Sequence, residues 1–576
     1  MSVSALNGAF AMTLLLMTCG MTSCELLKNG GFDNGMDPWH CWGFSCELLG
    51  SADSHQGSHA IRSHGRTKYY QGPSQEMTTV PGKLYQAQSW IKFLNDTTGS
   101  LGQLIELEVA FNFPDDSHDY VNVAMRPLVT VADGWFLLQG DFQAPPKAVK
   151  STTFYYQGPV AGVDFAVDQA SVAEVTSDSN WRKETDDVIN RVRKSNINIV
   201  VTSPANIDKS AVKLRVVQTK KGFPFGATVD SWKYVNSSQQ KYRDFIHTHF
   251  NWAVPGNALK WRQFDWHQPH EGPGDKLYAR AQSTIDGLRK AGLKVRGHNM
   301  VWSVEQFIPE KIKQLSGQQL RDAVKNHIQW TMNVTKGTLE HWDVNNENLH
   351  GQWFQERLHD RDYDLELFRM MHQADPVPKL FLNDYNVVAQ GAATSAYLAQ
   401  GQRFKNANVH MSGMGVQCHF FKDQEPNPSQ IKRHLDTLAT VGVPLWATEL
   451  DVQSADENTR ADYIEKALRA LYGHPAIEGI MFWSYGGSSP SSLQALVVDG
   501  SMTLTAAGRR VLDLLENQWM TDETHVLSQS GDHFTVRGFH GDYEMQVIYQ
   551  GHQQSSLNFT LGKDDETVNV NVHGHT

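Results

Sequence analysis

The sequence predicts a (β/α)8 TIM barrel of the α/β class, flanked by an antiparallel β-sandwich and a short β-rich extension. Between residues 223 and 519, eight short apolar runs alternate with segments of helical periodicity, the pattern of parallel strands joined by helices. Residues 25–176 instead contain short stretches in which apolar and polar residues alternate between Gly, Pro, Asp and Asn, as in a sandwich. With 576 residues, the chain is also too long for one hydrophobic core.

Five segments follow from this pattern. Residues 1–24 contain a short apolar stretch followed by small residues, which predicts a signal peptide and a secreted, extracellular protein; a buried helix is the alternative. The sandwich occupies residues 25–176, a linker helix and strand 177–222, the barrel 223–519, and the β-rich extension 520–576. An open doubly wound sheet competes with the barrel, but no Gly-x-Gly-x-x-Gly turn follows the first strand to support nucleotide binding.

Charge and composition restrict the class of ligand. Lys and Arg number 51 against 62 Asp and Glu, which gives a formal net charge of -11. This charge disfavours nucleic acid and anionic membrane surfaces, and no apolar run beyond the N-terminus approaches the roughly 18 residues of a membrane span. A neutral ligand fits better, and the 16 Trp residues suit sugar rings, whose apolar faces stack on flat aromatic side chains.

The sandwich segment is rich in aromatic residues, for which two interpretations remain open. Most of them can fill the core, while an exposed subset can form a platform for sugar rings. The residues concerned are Trp39, Trp42, Tyr69, Tyr70, Trp135, Tyr155 and Tyr156.

Polar and aromatic residues follow the barrel strands at the ends that carry the active site in this fold. Two are carboxylates, Glu347 after the fourth predicted strand and Glu449 after the seventh. Cleavage of a glycosidic bond needs such a pair: one acid protonates the leaving oxygen and the other attacks or stabilises the anomeric carbon. The predicted substrate-binding residues are Asn257, Lys260, His298, Trp302, Asn346, Tyr385, Gln417, His419 and Trp483, and the supporting acids are Asp384 and Asp451.

The neighbours of the two acids predict different roles. Asp451 and His419 give Glu449 a polar setting that keeps a nucleophile ionised. Glu347 follows Trp342 and lies between amides, where desolvation raises the pKa of a carboxyl group. Taken singly, a Glu at a strand end is more often a solvated loop residue and a lone His a structural one. The set has neither metal-ligand spacing nor a Ser nucleophile motif, so we expect no metal and no cofactor.

Cysteines and glycosylation motifs are consistent with an oxidising compartment. Cys41 and Cys46 bracket CWGFSC and are predicted to form a disulfide, since nothing nearby supplies the further ligands of a zinc site. Cys418 is expected to be a buried thiol. Four Asn-x-Ser/Thr motifs are candidate glycosylation sites: Asn95, Asn236, Asn333 and Asn558.

Five motifs make the barrel segment similar to the family 10 glycoside hydrolases, whose best-known activity is endo-1,4-β-xylanase. They cover roughly residues 200 to 520 in the expected order. The resemblance implies a retaining double displacement, with Glu347 as acid/base and Glu449 as nucleophile. The motifs are WDVNNE at 342–347, TELDV at 448–452, RGHN with Trp302 at 296–302, NDYN at 383–386 and QCHF at 417–420.

The flanking segments carry weaker resemblances. Residues 25–176 are similar to the xylan- or glucan-binding sandwich modules attached to such enzymes, through RTKYYQGPSQ at 66–75 and DFAVDQA at 164–170. The tail after Trp519 resembles the C-terminal strands of the plant- and animal-type members.

Two departures from the family pattern leave the substrate open. Gly256 stands where the family carries a carboxylate that grips a glycone hydroxyl, and residues 488–494 lack a second cleft Trp. A more open glycone side admits a hydroxymethyl group and therefore a glucan. We expect a monomer acting on a β-1,4-linked plant cell-wall polysaccharide, xylan first and cellulose as the alternative. A non-catalytic polysaccharide-binding protein and a transglycosylase are further alternatives.

Overall fold

The computed structural model describes residues 25–176, 178–263, 275–422 and 424–573. The predicted signal peptide, residues 1–24, lies outside the described residues. Within the described ranges, no helix combines the length and the apolar character needed to cross a membrane. The same ranges contain no group of three or more His, Cys, Asp or Glu side chains arranged to hold a metal ion.

The N-terminal segment folds as the predicted antiparallel β-sandwich. Its strands are β1 (Ser45–Gly50), β2 (His59–His64), β3 (Ser74–Met77), β4 (Leu84–Phe93), β5 (Gln103–Asn112), β6 (His118–Val129), β7 (Phe136–Gln143), β8 (Ser151–Gln157) and β9 (Phe165–Val175). One sheet has the order β1-β2-β9-β4-β7 and the other β3-β8-β5-β6. Alternate residues point inward, so Ile91 and Val167 of the first sheet share a core with Val109 and Phe154 of the second.

The aromatic residues of the sandwich divide between its core and its surface. Trp39 and Tyr156 are buried in the core. Trp42 is 75% exposed, and Tyr69 and Tyr70 are both more than half exposed. Trp39 and Tyr156 therefore belong to the core, whereas sugar binding by the exposed subset stays a prediction.

A helix and two strands lead from the sandwich to the barrel. They are helix Trp181–Val192, β10 (Lys194–Thr202) and β11 (Val212–Lys221). The guanidinium of Arg193, at the end of the helix, donates hydrogen bonds to the carbonyl oxygens of Tyr472, His474 and Ile477. These bonds fix the connecting segment to the barrel.

The barrel has the predicted eight parallel strands, and it closes because β14 pairs with both β13 and β16. The fold prediction is therefore confirmed. Two-residue strands, β15 and β19, continue the lines of β14 and β18. The strands are β12 (Phe225–Thr228), β13 (Trp252–Val254), β14 (Lys294–Gly297), β15 (Val301–Trp302), β16 (His341–Asn346), β17 (Lys379–Asp384), β18 (Met411–Val416), β19 (His419–Phe420), β20 (Leu445–Val452) and β21 (Ile477–Phe482).

Amphipathic helices connect the barrel strands. In one of them Asn427 caps the N-terminus by accepting two backbone hydrogen bonds, and Ile431, Leu435 and Leu438 form its buried stripe. The small strands β22 (Gly486–Gly487), β23 (Val497–Val498) and β24 (Thr503–Leu504) follow β21. The helices are Ser231–Val235, Gln240–His249, Asp275–Lys290, Glu310–Lys313, Gly317–Val334, Trp353–Leu358, Tyr363–Ala374, Thr394–Asn406, Pro428–Ala439, Glu457–Tyr472 and Ala506–Asp513.

Strands from both sides of the barrel sequence form one further β-domain, which we call the clasp domain. Its C-terminal strands are β25 (Asp522–Val526), β26 (His533–Phe539), β27 (Gly541–Tyr549), β28 (His552–Leu561) and β29 (Glu566–Asn571). They complete two sheets with the connecting strands, in the orders β26-β10-β29 and β25-β11-β27-β28. Ile199 and Leu214 from before the barrel share a core with Val547 and Val568 from after it. The structure thus groups strands that the sequence assigned to a linker and a separate extension.

The sandwich is attached to the barrel by a buried ion pair and main-chain bonding. Asp141 on β7 is buried and accepts hydrogen bonds from Arg433 Nη2 at 2.5 Å and from His434 Nε2 at 2.6 Å. The backbone N–H of Met125 donates to the carbonyl oxygen of Ala392 at 2.8 Å. A buried carboxylate is costly without such partners, so the pairing favours one position of the sandwich on the barrel.

The structure also places the cysteines and the glycosylation motifs. Cys41 and Cys46 are joined in a disulfide, and Cys418 is a buried free thiol. Glycosylation stays a prediction, although all four motif asparagines are exposed: Asn95, Asn236, Asn333 and Asn558.

Candidate active site

The C-terminal ends of the barrel strands bring Glu347 and Glu449 into one site. The backbone N–H of Glu347 donates to Asn383 O at 2.9 Å, and that of Glu449 donates to Gln417 O at 3.1 Å. The side chain of Gln417 donates to Glu347 Oε1 at 3.2 Å. Gln417 therefore contacts both acids, which belong to strands on either side of β17 and β18.

Glu347 has the properties of a general acid. Burial raises its pKa to about 7, and the negative charges of Asp384 and Glu449 contribute to the increase. Trp302 Nε1 donates to Glu347 Oε2 at 2.7 Å, and this bond and the one from Gln417 favour the ionised form without cancelling the increase. A carboxyl group with this pKa keeps its proton up to nearly neutral pH.

The backbone at Glu347 is unusual. Its φ is 56°, in the left-handed region that residues other than glycine rarely adopt. Such conformations cluster at functional sites, where the surrounding structure holds them. Here the conformation lies directly after β16, where the chain leaves the barrel wall.

Glu449 has the opposite electrostatic environment. Although its burial alone would raise the pKa, the carboxylate is held at a pKa of about 2. The groups responsible are His298, then His419 and Lys260. Asn383 Nδ2 also donates to Glu449 Oε1 at 2.8 Å. Glu449 is thus ionised over the whole ordinary pH range, as a nucleophile requires.

His419 lies between two acids. Its Nδ1 is 2.9 Å from Asp451 Oδ2, and its Nε2 is 3.5 Å from Glu449 Oε2. Burial alone would lower the pKa of His419, but the two carboxylates raise it to about 10. A protonated imidazolium therefore lies beside the carboxylate of Glu449, and Asp451 contacts it from the far side.

Below the carboxylates lies a buried charged pair that the sequence prediction did not include. Asp343 forms an ion pair with Arg296 and bonds His298 Nδ1 at 2.9 Å. His298 Nδ1 is also 3.9 Å from Glu449 Oε1. Asp343 therefore helps to orient the ring that lies against Glu449.

Lys260, Trp302 and Trp483 form one wall of the site. Lys260 Nζ lies 4.4 Å from the ring centre of Trp302 and 5.6 Å from that of Trp483. Burial lowers the pKa of Lys260 to about 8. Trp483 also meets the ring of His298 edge-on at 5.1 Å. The two partly exposed indoles offer flat apolar surface next to the carboxylates.

The amide of Asn346 is connected to the nucleophile through a second amide. Asn383 Nδ2 donates both to Asn346 Oδ1 and to Glu449 Oε1, each at 2.8 Å. Asn257 is more distant from this network. It is exposed and lines a cleft of about 430 Å³ that meets the site at Trp483 and also includes Gly256.

Asp384 and Tyr385 lie on the acid/base side of the site. Asp384 accepts hydrogen bonds from the backbone N–H of Leu349 at 2.8 Å and from His350 Nδ1 at 2.7 Å. The ring of Tyr385 stacks on His350 with centres 3.7 Å apart. Burial and the nearby charges of Glu347 and Asp384 raise the pKa of Tyr385 to about 12.

Asp343 and His350 are thus additions to the predicted set, whereas Asn383 opens the NDYN motif that the sequence analysis singled out. Asn383 has the same strand-end signal as its neighbour Asp384. Asp343 interrupts an apolar strand, and an acid at such a position must find a buried partner. His350 follows the strand in a loop and carries no comparable signal.

The chain is similar to known proteins along most of its length. The profile described as Glycosyl hydrolase family 10 matches residues 213–500, and that described as Carbohydrate binding domain matches residues 25–162. Endo-1,4-beta-xylanase 3 of Arabidopsis thaliana is 30% identical over 545 residues, which cover 89% of this chain and 69% of the relative. Endo-1,4-beta-xylanase 2 of the same plant is 30% identical over 520 residues, covering 88% of this chain and 46% of the relative. The chain therefore spans about half the length of that relative.

The chain is also similar to solved structures. Xylanase 10B from Thermotoga petrophila RKU-1 in complex with xylobiose is 20% identical, with a TM-score of 0.46 over 51% of this chain and 94% of that one. The family matches confirm the resemblance drawn from the motifs. The chain belongs to glycosyl hydrolase family 10 and carries an N-terminal carbohydrate-binding domain.

Proposed function

We propose that this protein is a secreted, retaining endo-β-1,4-glycanase that hydrolyses xylan. One observation carries the proposal: two acids at the ends of barrel strands have pKa values of about 7 and about 2. Between these values Glu347 is protonated while Glu449 is ionised. This is the state in which a retaining glycosidase meets its substrate.

The first step forms a covalent sugar–enzyme bond. A carboxylate oxygen of Glu449 attacks the anomeric carbon, and the bond from that carbon to the leaving oxygen breaks. Glu347 gives its proton to that oxygen, so the leaving sugar departs as an alcohol. The bonds from Trp302 and Gln417 favour the negative charge that Glu347 then acquires.

The second step restores the enzyme. Glu347, now a carboxylate, takes a proton from water, whose oxygen attacks the anomeric carbon and displaces Glu449. Two displacements on one carbon retain its configuration. The two carboxyl groups are expected to be about 5 to 5.5 Å apart, as in retaining enzymes generally.

Xylan is supported as the substrate by the names of the relatives and by the carbohydrate-binding domain. A β-1,4-glucan is the second candidate, favoured by one observation. Gly256 has no side chain where the family pattern has a carboxylate, and it lines the cleft that contains Asn257 and Trp483. The missing side chain leaves room there for the hydroxymethyl group that distinguishes glucose from xylose.

Release of reducing sugar from xylan and from carboxymethyl cellulose, measured in parallel, tests the substrate. We expect faster release from xylan, and faster release from the glucan would reverse the order. A purified protein that binds either polymer without cleaving it would refute the enzymatic proposal. Proton NMR of the first product should show the β-anomer, because the reaction retains configuration.

Secretion and a monomeric state are further proposals. Secretion is supported by the apolar stretch within residues 1–24 and by the disulfide between Cys41 and Cys46. N-terminal sequencing of protein recovered from the culture medium should begin near residue 25. Light scattering during gel filtration should give a mass near 62 kDa for that chain, roughly the 64.7 kDa of the full sequence less its signal peptide.

A further inference from the structure

A cleft of about 1010 Å³ lies between the carbohydrate-binding domain and the barrel. Its walls come from both, and they are polar and aromatic. The lining residues that matter here are Glu106, Tyr120 and Asn122 from the domain and His350, Tyr385 and Asn386 from the barrel.

The barrel wall of this cleft lies beside the acid/base. Tyr385 is close enough to Glu347 to feel its charge, and it stacks on His350. The backbone N–H of His350 donates to Glu347 O at 3.0 Å. Glu347 protonates the oxygen of the departing sugar, so the cleft extends from the leaving-group side of the site.

Several polar atoms in this cleft are buried and unpaired. Asn122 Oδ1, His350 Nε2, Asn386 Oδ1 and Gln424 Oε1 have no hydrogen-bond partner among the described residues, and all four residues line the cleft. Buried polar atoms nearly always have a partner in the functional state of a protein. Three of these atoms are amide oxygens, and His350 Nε2 can accept because Nδ1 donates to Asp384, so the hydroxyl groups of a carbohydrate supply the donors that they lack.

The domain side of the cleft continues into an aromatic surface. Tyr120 is 67% exposed, and its neighbour Asn122 donates to Glu106 and Glu108 at 2.7 and 2.8 Å. Tyr155, on the adjoining part of the same sheet, lies within electrostatic range of Tyr120. A sugar chain that leaves the cleft therefore meets further aromatic rings.

The two walls are held in a fixed relation. Besides the buried Asp141 with its two partners, Arg361 Nη2 of the barrel donates to Leu128 O of the domain at 2.8 Å. Walls that need no rearrangement bind a ligand without the cost of ordering them.

We propose that the carbohydrate-binding domain forms the outer wall of the leaving-group side of the substrate groove. In this arrangement the cleft holds sugar residues beyond the cleaved bond, with Tyr120 stacking on one of them. The domain then acts as a fixed part of the catalytic groove rather than as a separate anchor. The inference rests on the proposed glycanase function.

The inference can be tested in the full chain with substrates of different lengths. We expect Tyr120→Ala to lower kcat/KM for xylohexaose roughly tenfold, the order of effect of one lost stacking contact. The same variant should leave kcat/KM unchanged for an aryl β-xylobioside, whose leaving group is too short to reach the domain. Tyr120→Trp, which keeps a flat ring, should restore the activity on xylohexaose.

The bond that is cleaved provides a second readout. In xylohexaose labelled at its reducing end, loss of leaving-group contacts should shift cleavage toward that end in Tyr120→Ala. Leu104→Ala is the control, because Leu104 is an exposed apolar residue of the same sheet that does not line the cleft. It should leave the cleavage pattern unchanged.

Three results would overturn the inference: equal losses on the two substrates, an unchanged cleavage pattern in Tyr120→Ala, or the same shift in Leu104→Ala. Failure of the proposed function would look different, because the wild-type protein would then cleave neither substrate. Tyr120 is mostly exposed, so the melting temperature of the variant should equal that of the wild type.

Discussion

Glu347 and Glu449 are acids of the same type, desolvated in the same barrel, yet their pKa values are about 7 and about 2. Burial pushes both values upward. The carboxylate of Asp384 reinforces this effect at Glu347, whereas His298, and after it His419 and Lys260, reverse it at Glu449. Neighbouring charges, more than the extent of burial, therefore separate the two pKa values and divide the roles between the two acids.

The largest expected effect comes from removing the nucleophile. Glu449→Gln should lower kcat on xylan by about 10⁴-fold or more, because no covalent intermediate can form. Binding of xylan should survive, as measured by affinity electrophoresis. Glu356→Gln, at an exposed position of the barrel, is the control and should retain full activity. Substantial turnover by Glu449→Gln would remove the basis of the comparison.

The next largest effect concerns the acid. Wild-type activity should fall as pH rises through about 7, since Glu347 loses its proton there. Glu347→Gln should lower activity on xylan by roughly 10² to 10⁴-fold and abolish this alkaline limb. An aryl xylobioside with a good leaving group should be cleaved to its covalent intermediate with a smaller loss. An alkaline limb that persists in Glu347→Gln would assign the limb to another group.

Rescue by azide tests which of the two residues is the nucleophile and which is the acid/base. In Glu347→Ala, azide should restore turnover and the product should be a β-glycosyl azide, because azide attacks the covalent intermediate. In Glu449→Ala the product should be the α-glycosyl azide, since azide replaces the nucleophile itself. NMR of the products distinguishes the two, and the reverse pairing would exchange the assignments of the acids.

A smaller effect is expected from Asp451→Asn. The substitution removes one of the two carboxylates that raise the pKa of His419, so the imidazolium is weakened and the pKa of Glu449 rises. The acid limb of the pH profile should move upward from about pH 2, and kcat/KM should fall about tenfold for each unit of that shift at low pH. An acid limb that stays in place would show that His419 does not control the nucleophile.

The smallest effect is expected from Trp302→Phe. The indole N–H favours the ionised form of Glu347, so its loss should move the alkaline limb above pH 7 and change the rate less than about tenfold. Trp483→Phe is the matched control, because Trp483 packs beside Lys260 and His298 and donates to neither acid in the described structure. Equal shifts in the two variants would refute the role of the hydrogen bond.

Local patterns predicted the barrel, and they also predicted that Glu347 and Glu449 follow strands of that barrel. Alternating apolar runs and helical segments identify each strand, and the fold itself places the strand ends in one site. The sequence could not predict how the clasp domain is built. Its β10 pairs with β26 and β29, which lie more than 300 residues further along the chain, and no local signal records such a pairing.

The sequence also could not show which aromatic residues of the sandwich are buried and which are exposed. Trp39 and Trp42 are three residues apart, yet one is buried and the other exposed. Both lie outside the named strands, so no alternation indicates their direction. The position of the sandwich was equally hidden, because the bonds of Asp141 to Arg433 and His434 join residues almost 300 positions apart.

The clasp domain bears directly on how this protein can be shortened in the laboratory. A gene ending after the barrel at Trp519 would remove β25 to β29 and leave β10 and β11 with open hydrogen-bonding edges and an uncovered apolar face. Bare edges of this kind recruit other polypeptides, so such a product should precipitate even though every catalytic side chain is retained. Soluble fragments of the hydrolase should therefore keep the clasp-domain strands from both sides of the barrel sequence, or lack all of them.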